Sequence, residues 1–179
     1  DIKYSPFLTL KNNQFYSFQD KVCKDCNIKL FENFSSYPAK AYLNTAILII
    51  SFLQKTEFPK FSIKIQHSVS DGVYGEFKDQ KGHRQDKIQQ LKDTFQNVVS
   101  RNLPIIPEVV PRTDVIHYFE QNKRQDTANL LQFCSQDFLT LYTLDEHKFW
   151  TPFPVAPSTG MISIYEIMSY KNGFLLRTP

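Results

Sequence analysis

Between Phe61 and Phe77 the chain reads Phe-Ser-Ile-Lys-Ile-Gln-His-Ser-Val-Ser-Asp-Gly-Val-Tyr-Gly-Glu-Phe, and this stretch constrains the fold more than any other. Phe61, Ile63, Ile65 and His67 alternate with Ser62, Lys64 and Gln66, which is the period of a half-buried strand. Ser70-Asp71-Gly72 then supply turn chemistry, because Gly accepts positive φ and Asp can bond its own backbone. Val73 to Phe77 return as a second strand, apolar at both ends. A hairpin is therefore predicted, and its bend gathers His67, Ser68, Asp71 and Tyr74.

Helical patterns stand on both sides. From Ala39 to Gln54, residues Tyr42, Leu43, Ala46, Ile47, Ile50 and Leu53 recur at three- and four-residue spacing, and Leu48 and Ile49 widen that stripe. Pro38 sits where a missing N–H does no harm. From Gln85 to Asn102, Ile88, Leu91, Phe95 and Val98 form one side, with Lys87, Lys92 and Asp93 opposite. Leu103-Pro104 ends that helix.

Shorter elements complete the chain. Pro6–Leu10 and Ile28–Phe31 read as strands, with Asn12-Asn13 a turn. Ile105–Val110, broken by Pro107, reads as an irregular or edge strand. Thr113-Asp114 are expected to cap a short helix carrying Val115, Ile116 and Phe119. Gln125-Asp126-Thr127 begin another, with Leu130, Leu131 and Cys134 inward. Strands follow at Phe138–Leu144, His147–Thr151, Met161–Tyr170 and Gly173–Arg177, the last two joined by a tight turn at Lys171-Asn172. Pro152 to Gly160 is a Pro-rich loop. The fold class is α+β, an antiparallel sheet with helices packed on it.

Sixteen Phe and nine Tyr supply ample core and argue against disorder. A net charge of +3 with no long basic run permits contact with a phosphate backbone without demanding it. Three cysteines suit a reducing compartment, and Cys23 and Cys26 lack the second pair that a zinc site needs. The apolar run Ala46–Leu53 is too short for a bilayer, which takes roughly 20 residues. No signal sequence opens the chain, so a cytoplasmic protein without a membrane partner is expected. A start at Asp1 without Met suggests a piece of a longer protein.

Reactive constellations are scarce. The glycines at 72, 75, 82, 160 and 173 make no phosphate-cradling loop. His67, Ser68 and Asp71 are the residue types of a triad, yet neighbours on a strand point to opposite faces, so His67 is expected to be a satisfied, partly buried histidine. His83, His117 and His147 have no partner at metal-ligand spacing. Lys64, Lys78, Lys81 and Arg84 read as a solvated face able to meet phosphate.

Three segments carry a family resemblance: Ala41-Tyr-Leu-Asn-Thr-Ala-Ile47; the hairpin from His67 to Phe77; and Pro154-Val-Ala-Pro-Ser-Thr-Gly160 with Tyr170-Lys-Asn-Gly-Phe-Leu-Leu-Arg-Thr-Pro179. Their order resembles the second N-terminal, editing-type domain of threonyl-tRNA synthetases, and more closely the copy found ahead of the kinase in uridine kinase-like proteins. The resemblance implies a threonyl/alanyl-tRNA synthetase editing-domain-like fold over residues 31–179. Residues 1–30 would then be an N-terminal extension or the end of a preceding module.

Editing modules of this kind carry two His four residues apart on the first helix, and a Cys followed four residues later by a His in the Pro loop. Laid on this chain, those positions fall at Ala41 and Thr45, and at Thr151 and Val155. None of the four functional residues is retained, which removes the base and ligand that would activate water. The resemblance thus implies a non-catalytic accessory domain with no metal and no cofactor of its own. Its expected partners are a kinase domain of the same chain, which would use ATP and Mg, and tRNA or a nucleotide. A cleft walled by the first helix, the hairpin and the Pro loop would present Lys64, His67, Ser68, Asp71, Tyr74, Ser158 and Thr159. Two alternatives stand beside it: an aminoacyl-tRNA deacylase rebuilt on His67 and Asp71, and a structural spacer that docks the kinase.

Overall fold

The computed structural model describes residues 8–11, 14–17, 28–30, 36–60, 62–70, 72–78 and 84–179. The expected turn at Asn12-Asn13, the cysteines at 23 and 26, and Asp71, Lys81 and His83 lie outside the described residues. In chain order the first strands are β1 (Leu8–Lys11), β2 (Gln14–Ser17) and β3 (Ile28–Leu30), followed by α1 (Ser36–Thr56). Then come β4 (Ser62–Val69), β5 (Gly72–Lys78), α2 (Arg84–Arg101) and β6 (Ile105–Pro111). Helices α3 (Arg112–Gln121) and α4 (Gln125–Gln132) precede β7 (Phe138–Leu144) and β8 (His147–Trp150). A 3-10 turn (Thr159–Met161), β9 (Glu166–Tyr170) and β10 (Gly173–Arg177) close the chain.

The chain divides into two compact units, Asp1–Ile105 with Phe153–Pro179, and Ile106–Pro152. In the first, β1 pairs antiparallel with β2 and β3. A separate four-stranded antiparallel sheet has the order β4-β5-β10-β9. Its apolar face is built from Val73, Gly75 and Phe77 of β5 opposite Leu176 and Phe174 of β10, with Ile167 beyond. The ring of Phe174 lies over Gly75, where any Cβ would collide with it, and stands 5.6 Å from the ring of Phe77. Helix α1 runs against β4, and α2 against β9 and β10. Leu91 and Phe95 of α2 and Leu48, Ile49 and Leu53 of α1 are fully buried. Each such side chain contributes about 1.5–3 kcal/mol relative to an exposed one.

The 3.6-residue period locates both long helices correctly, but their faces are turned slightly. On α1, Leu43 and Ile47 are only half-buried, while Ala41, Thr45, Leu48 and Phe52 go inside. On α2, Lys87 joins the buried side rather than the solvated one. The expected strand Met161–Tyr170 begins only at Glu166. Its first residues coil instead, with the Ile162 N–H donating to Thr159 at 3.2 Å and the Tyr165 hydroxyl reaching Gln96 on α2 at 2.6 Å.

In the second unit, β6 is an edge strand beside β7, and β8 lies on the other side of β7. Val115, Phe119, Ala128, Leu131, Leu139 and Leu141 form its core. Thr113 and Asp114 lie inside α3 rather than capping it; the helix starts at Arg112, whose N–H donates to the Asp137 carbonyl at 2.8 Å. Leu130 is 57 % exposed, against expectation. Ala128 and Leu131 form the inward stripe of α4, Cys134 packs on the same core two residues past its end, and Leu130 lies one position off the stripe.

Candidate functional site

A buried threonine joins the first helix to the Pro loop. The Thr45 hydroxyl donates to the Ala41 carbonyl at 2.7 Å and accepts the Ala156 N–H at 2.7 Å. A hydroxyl has one proton and two lone pairs, so both bonds form together. Ala41 and Thr45 are 0 % exposed, and Val155 and Ala156 1 %. The positions that the resemblance assigns to the two helix histidines are therefore both buried, and the second of them, Thr45, is bonded to the loop. Val155 is buried in the same unit, while Thr151 belongs to the other unit.

The rest of the loop is tied down as firmly. Thr159, also 0 % exposed, donates its hydroxyl to Val98 at 2.8 Å and accepts the Leu103 N–H at 2.9 Å. Its N–H donates to the Leu103 carbonyl, and the Ile105 N–H donates to Pro157. Thr159 thus holds the loop against the end of α2 instead of facing a ligand. Ser158 is half-buried and bridges to Pro104. Further along, the Ile164 N–H donates to the Tyr42 hydroxyl at 2.8 Å. Burial, with the nearby Tyr42 phenol second, pushes the Tyr165 hydroxyl above its ordinary range.

The hairpin residues present a different surface. Residues Ser62 to Ile65 pair regularly with Lys78 to Gly75, but the next partner pair is His67 with Tyr74. Gln66 is therefore a surplus residue, a β-bulge. The bulge moves His67 off the Ile63 and Ile65 face, so the expected partly buried histidine is instead exposed. His67 stands with its ring 5.6 Å from that of Tyr74. Ser68 pairs with Val73 and lies on the opposite side, as strand alternation requires.

Glu76 organises the outer side of the hairpin. Its carboxylate accepts the Tyr74 hydroxyl at 2.7 Å and the Gln66 amide at 2.9 Å. Those two hydrogen bonds, Tyr74's first, hold its pKa below the ordinary carboxylate value, helped by the charges of Lys64 and Lys78. Tyr74 also meets the ring of Tyr170 edge-on at 5.7 Å, and the Lys171 ammonium sits 5.3 Å from that ring.

The seven residues singled out in the sequence therefore divide. Lys64, His67 and Tyr74 share the outer face of the hairpin, Ser68 lies behind it, Ser158 and Thr159 are built into the Pro loop, and Asp71 lies outside the described residues. Sequence reasoning missed Glu76, Gln66 and Tyr170. Period two from Tyr74 points to Glu76, whereas nothing local announces the bulge that brings Gln66 to it.

No protein-family model matches the chain. It is similar to the threonine–tRNA ligase of Polynucleobacter asymbioticus, 19% identical over 152 residues, which are 84% of this chain and 24% of that protein. The corresponding enzyme of Methylobacillus flagellatus is 23% identical over 121 residues, 67% of this chain and 19% of its own. That of Carboxydothermus hydrogenoformans is 18% identical over 164 residues, 91% of this chain and 26% of its own. These likenesses agree with an α+β, editing-domain-like fold. The chain spans about a quarter or less of the length of these relatives.

Proposed function

We propose that this chain is a synthetase-derived, editing-like domain that no longer hydrolyses aminoacyl-tRNA and acts as a binding or regulatory module. One observation carries the reading: Thr45 spends its hydroxyl on Ala41 and Ala156, and the seam between α1 and the Pro loop is shut. A water-activating group needs reach to an ester carbonyl, and Ala41, Thr45 and Val155 offer neither a base nor space for one. The similarity to threonine–tRNA ligases supports the synthetase origin.

The finer part of the reading is that the module belongs to a uridine kinase-like protein, beside an ATP- and Mg-dependent kinase domain. Its support is the resemblance of the segments from Pro154 to Gly160 and from Tyr170 to Pro179. The decisive assay incubates the chain with mischarged aminoacyl-tRNA and follows ester loss. No hydrolysis above the spontaneous rate is expected. Turnover that disappears in His67→Ala would overturn the reading in favour of a rebuilt deacylase. For the kinase part, the parent protein is expected to phosphorylate uridine with ATP and Mg, and failure there removes that part alone.

A further inference from the structure

Three rings lie in a row across the outer face of the β4-β5-β10-β9 sheet: His67, Tyr74 and Tyr170, at successive centroid distances of 5.6 and 5.7 Å. Tyr74 is buried between the others and serves as a strut, so ring surface is offered by exposed His67 and half-buried Tyr170. Gly173 stands in register between Tyr170 and Glu76, where any Cβ would collide with the backbone of Gly75. Cations flank the row. Lys64 is in register with Glu76, and exposed Lys78 follows two residues after Glu76 on the same face, while Lys171 leans on Tyr170.

Rings with interleaved ammonium groups on a sheet face are the parts that hold a single strand, bases stacking on the rings and phosphates meeting the lysines. Glu76 narrows the class. An ionised carboxylate among the lysines repels bare phosphate groups, so it disfavours a polyphosphate or an anionic membrane. The same carboxylate accepts a hydrogen bond from a ribose 2′-hydroxyl, the group that separates RNA from DNA. We propose that this face binds single-stranded RNA. Bases stack on His67 and Tyr170, Lys64 and Lys78 meet phosphates, and Glu76 accepts from a 2′-hydroxyl. The proposal deepens the binding role given above and rests on it, but it uses none of the residues of the α1–Pro-loop seam.

The test is fluorescence anisotropy of the full chain with a short labelled oligouridylate and the oligodeoxyuridylate of equal length, at about 50 mM salt. The RNA is expected to bind better, with a log–log salt slope of about −1.4 for two neutralised phosphates. His67→Ala and Tyr170→Ala should each weaken it roughly ten-fold, the size of one lost stacking contact. Lys64→Glu should weaken it as well, and Glu76→Gln should narrow the preference for RNA over DNA. Because Tyr170 is half-buried, His67→Ala, with its melting temperature checked, is the deciding variant. No binding, or binding unchanged in both His67→Ala and Lys64→Glu, overturns the surface. Equal affinity for the two strands overturns the assignment to RNA. The deacylation assay reads the closed seam separately, so failure of the RNA surface and failure of the non-hydrolytic reading are told apart.

Discussion

The N–H of Ala156 ends on the hydroxyl of Thr45, 2.7 Å away across 111 positions of sequence. That bond joins the Pro loop to the first helix between two buried residues, Thr45 and Ala156. Thr45→Val keeps the volume and deletes the acceptor, leaving a buried N–H without its partner. The loss is expected to be about 1–3 kcal/mol in denaturant unfolding. Thr45→Ser, which retains the hydroxyl, should lose less, and equal losses for the two would argue against the bond.

Gly75 and Phe174 are matched by close approach. A Cβ at 75 would collide with the Phe174 ring, which is itself 0 % exposed and has nowhere to go. Gly75→Ala should therefore lower stability by about 1–3 kcal/mol. Adding Phe174→Leu should cost less in that background than alone, a coupling read from a double-mutant cycle. Strictly additive costs would place the ring elsewhere.

The Glu76 carboxyl has a folded pKa below its ordinary value of 4.5, first because Tyr74 donates to it and then because Gln66 does. A depressed folded pKa means that the stabilisation is fully present above the unfolded value and is lost as the pH falls through the folded one. Tyr74→Phe should raise the Glu76 midpoint toward 4.5 in an NMR titration of its side chain. An unmoved midpoint would show that the phenol is not the group responsible.

Phe119 and Phe133 contrast within one unit. Phe119 is 3 % exposed and Phe133 87 %. Phe119→Ala should cost about 3–5 kcal/mol, as large-to-small changes in cores do. Phe133→Ala should stay within about 0.5 kcal/mol of the parent, as surface changes do. Thermal melts of the two variants check both values.

Much of this fold was legible because its periods are clean. Ile88, Leu91, Phe95 and Val98 fall on one side of α2. The strands β7 and β10 begin and end where their apolar runs do. The start of β9 was not legible, since Met161, Ile162 and Ile164 look like strand residues while the backbone is coiling to bring Tyr165 to Gln96. The hairpin turn also differs in detail: Ser70 takes the positive φ, and Gly72 lies within the ladder opposite Arg177. For the site, the resemblance points to Ala41, Thr45 and Val155, but only tertiary packing shows them buried. Bonds between residues a hundred positions apart leave no local pattern to read.

Gln66 makes the parity of β4 depend on the end from which one counts. Counting forward from Ile63, the imidazole of His67 belongs among the helices; counting back from Gly72, it belongs outside. A chain one residue shorter at that point would keep both its apolar interior and its outward histidine, and would give up only the amide that steadies Glu76. The inner and outer halves of this strand are thus insulated from each other by a single inserted step, so one can change without dragging the other along.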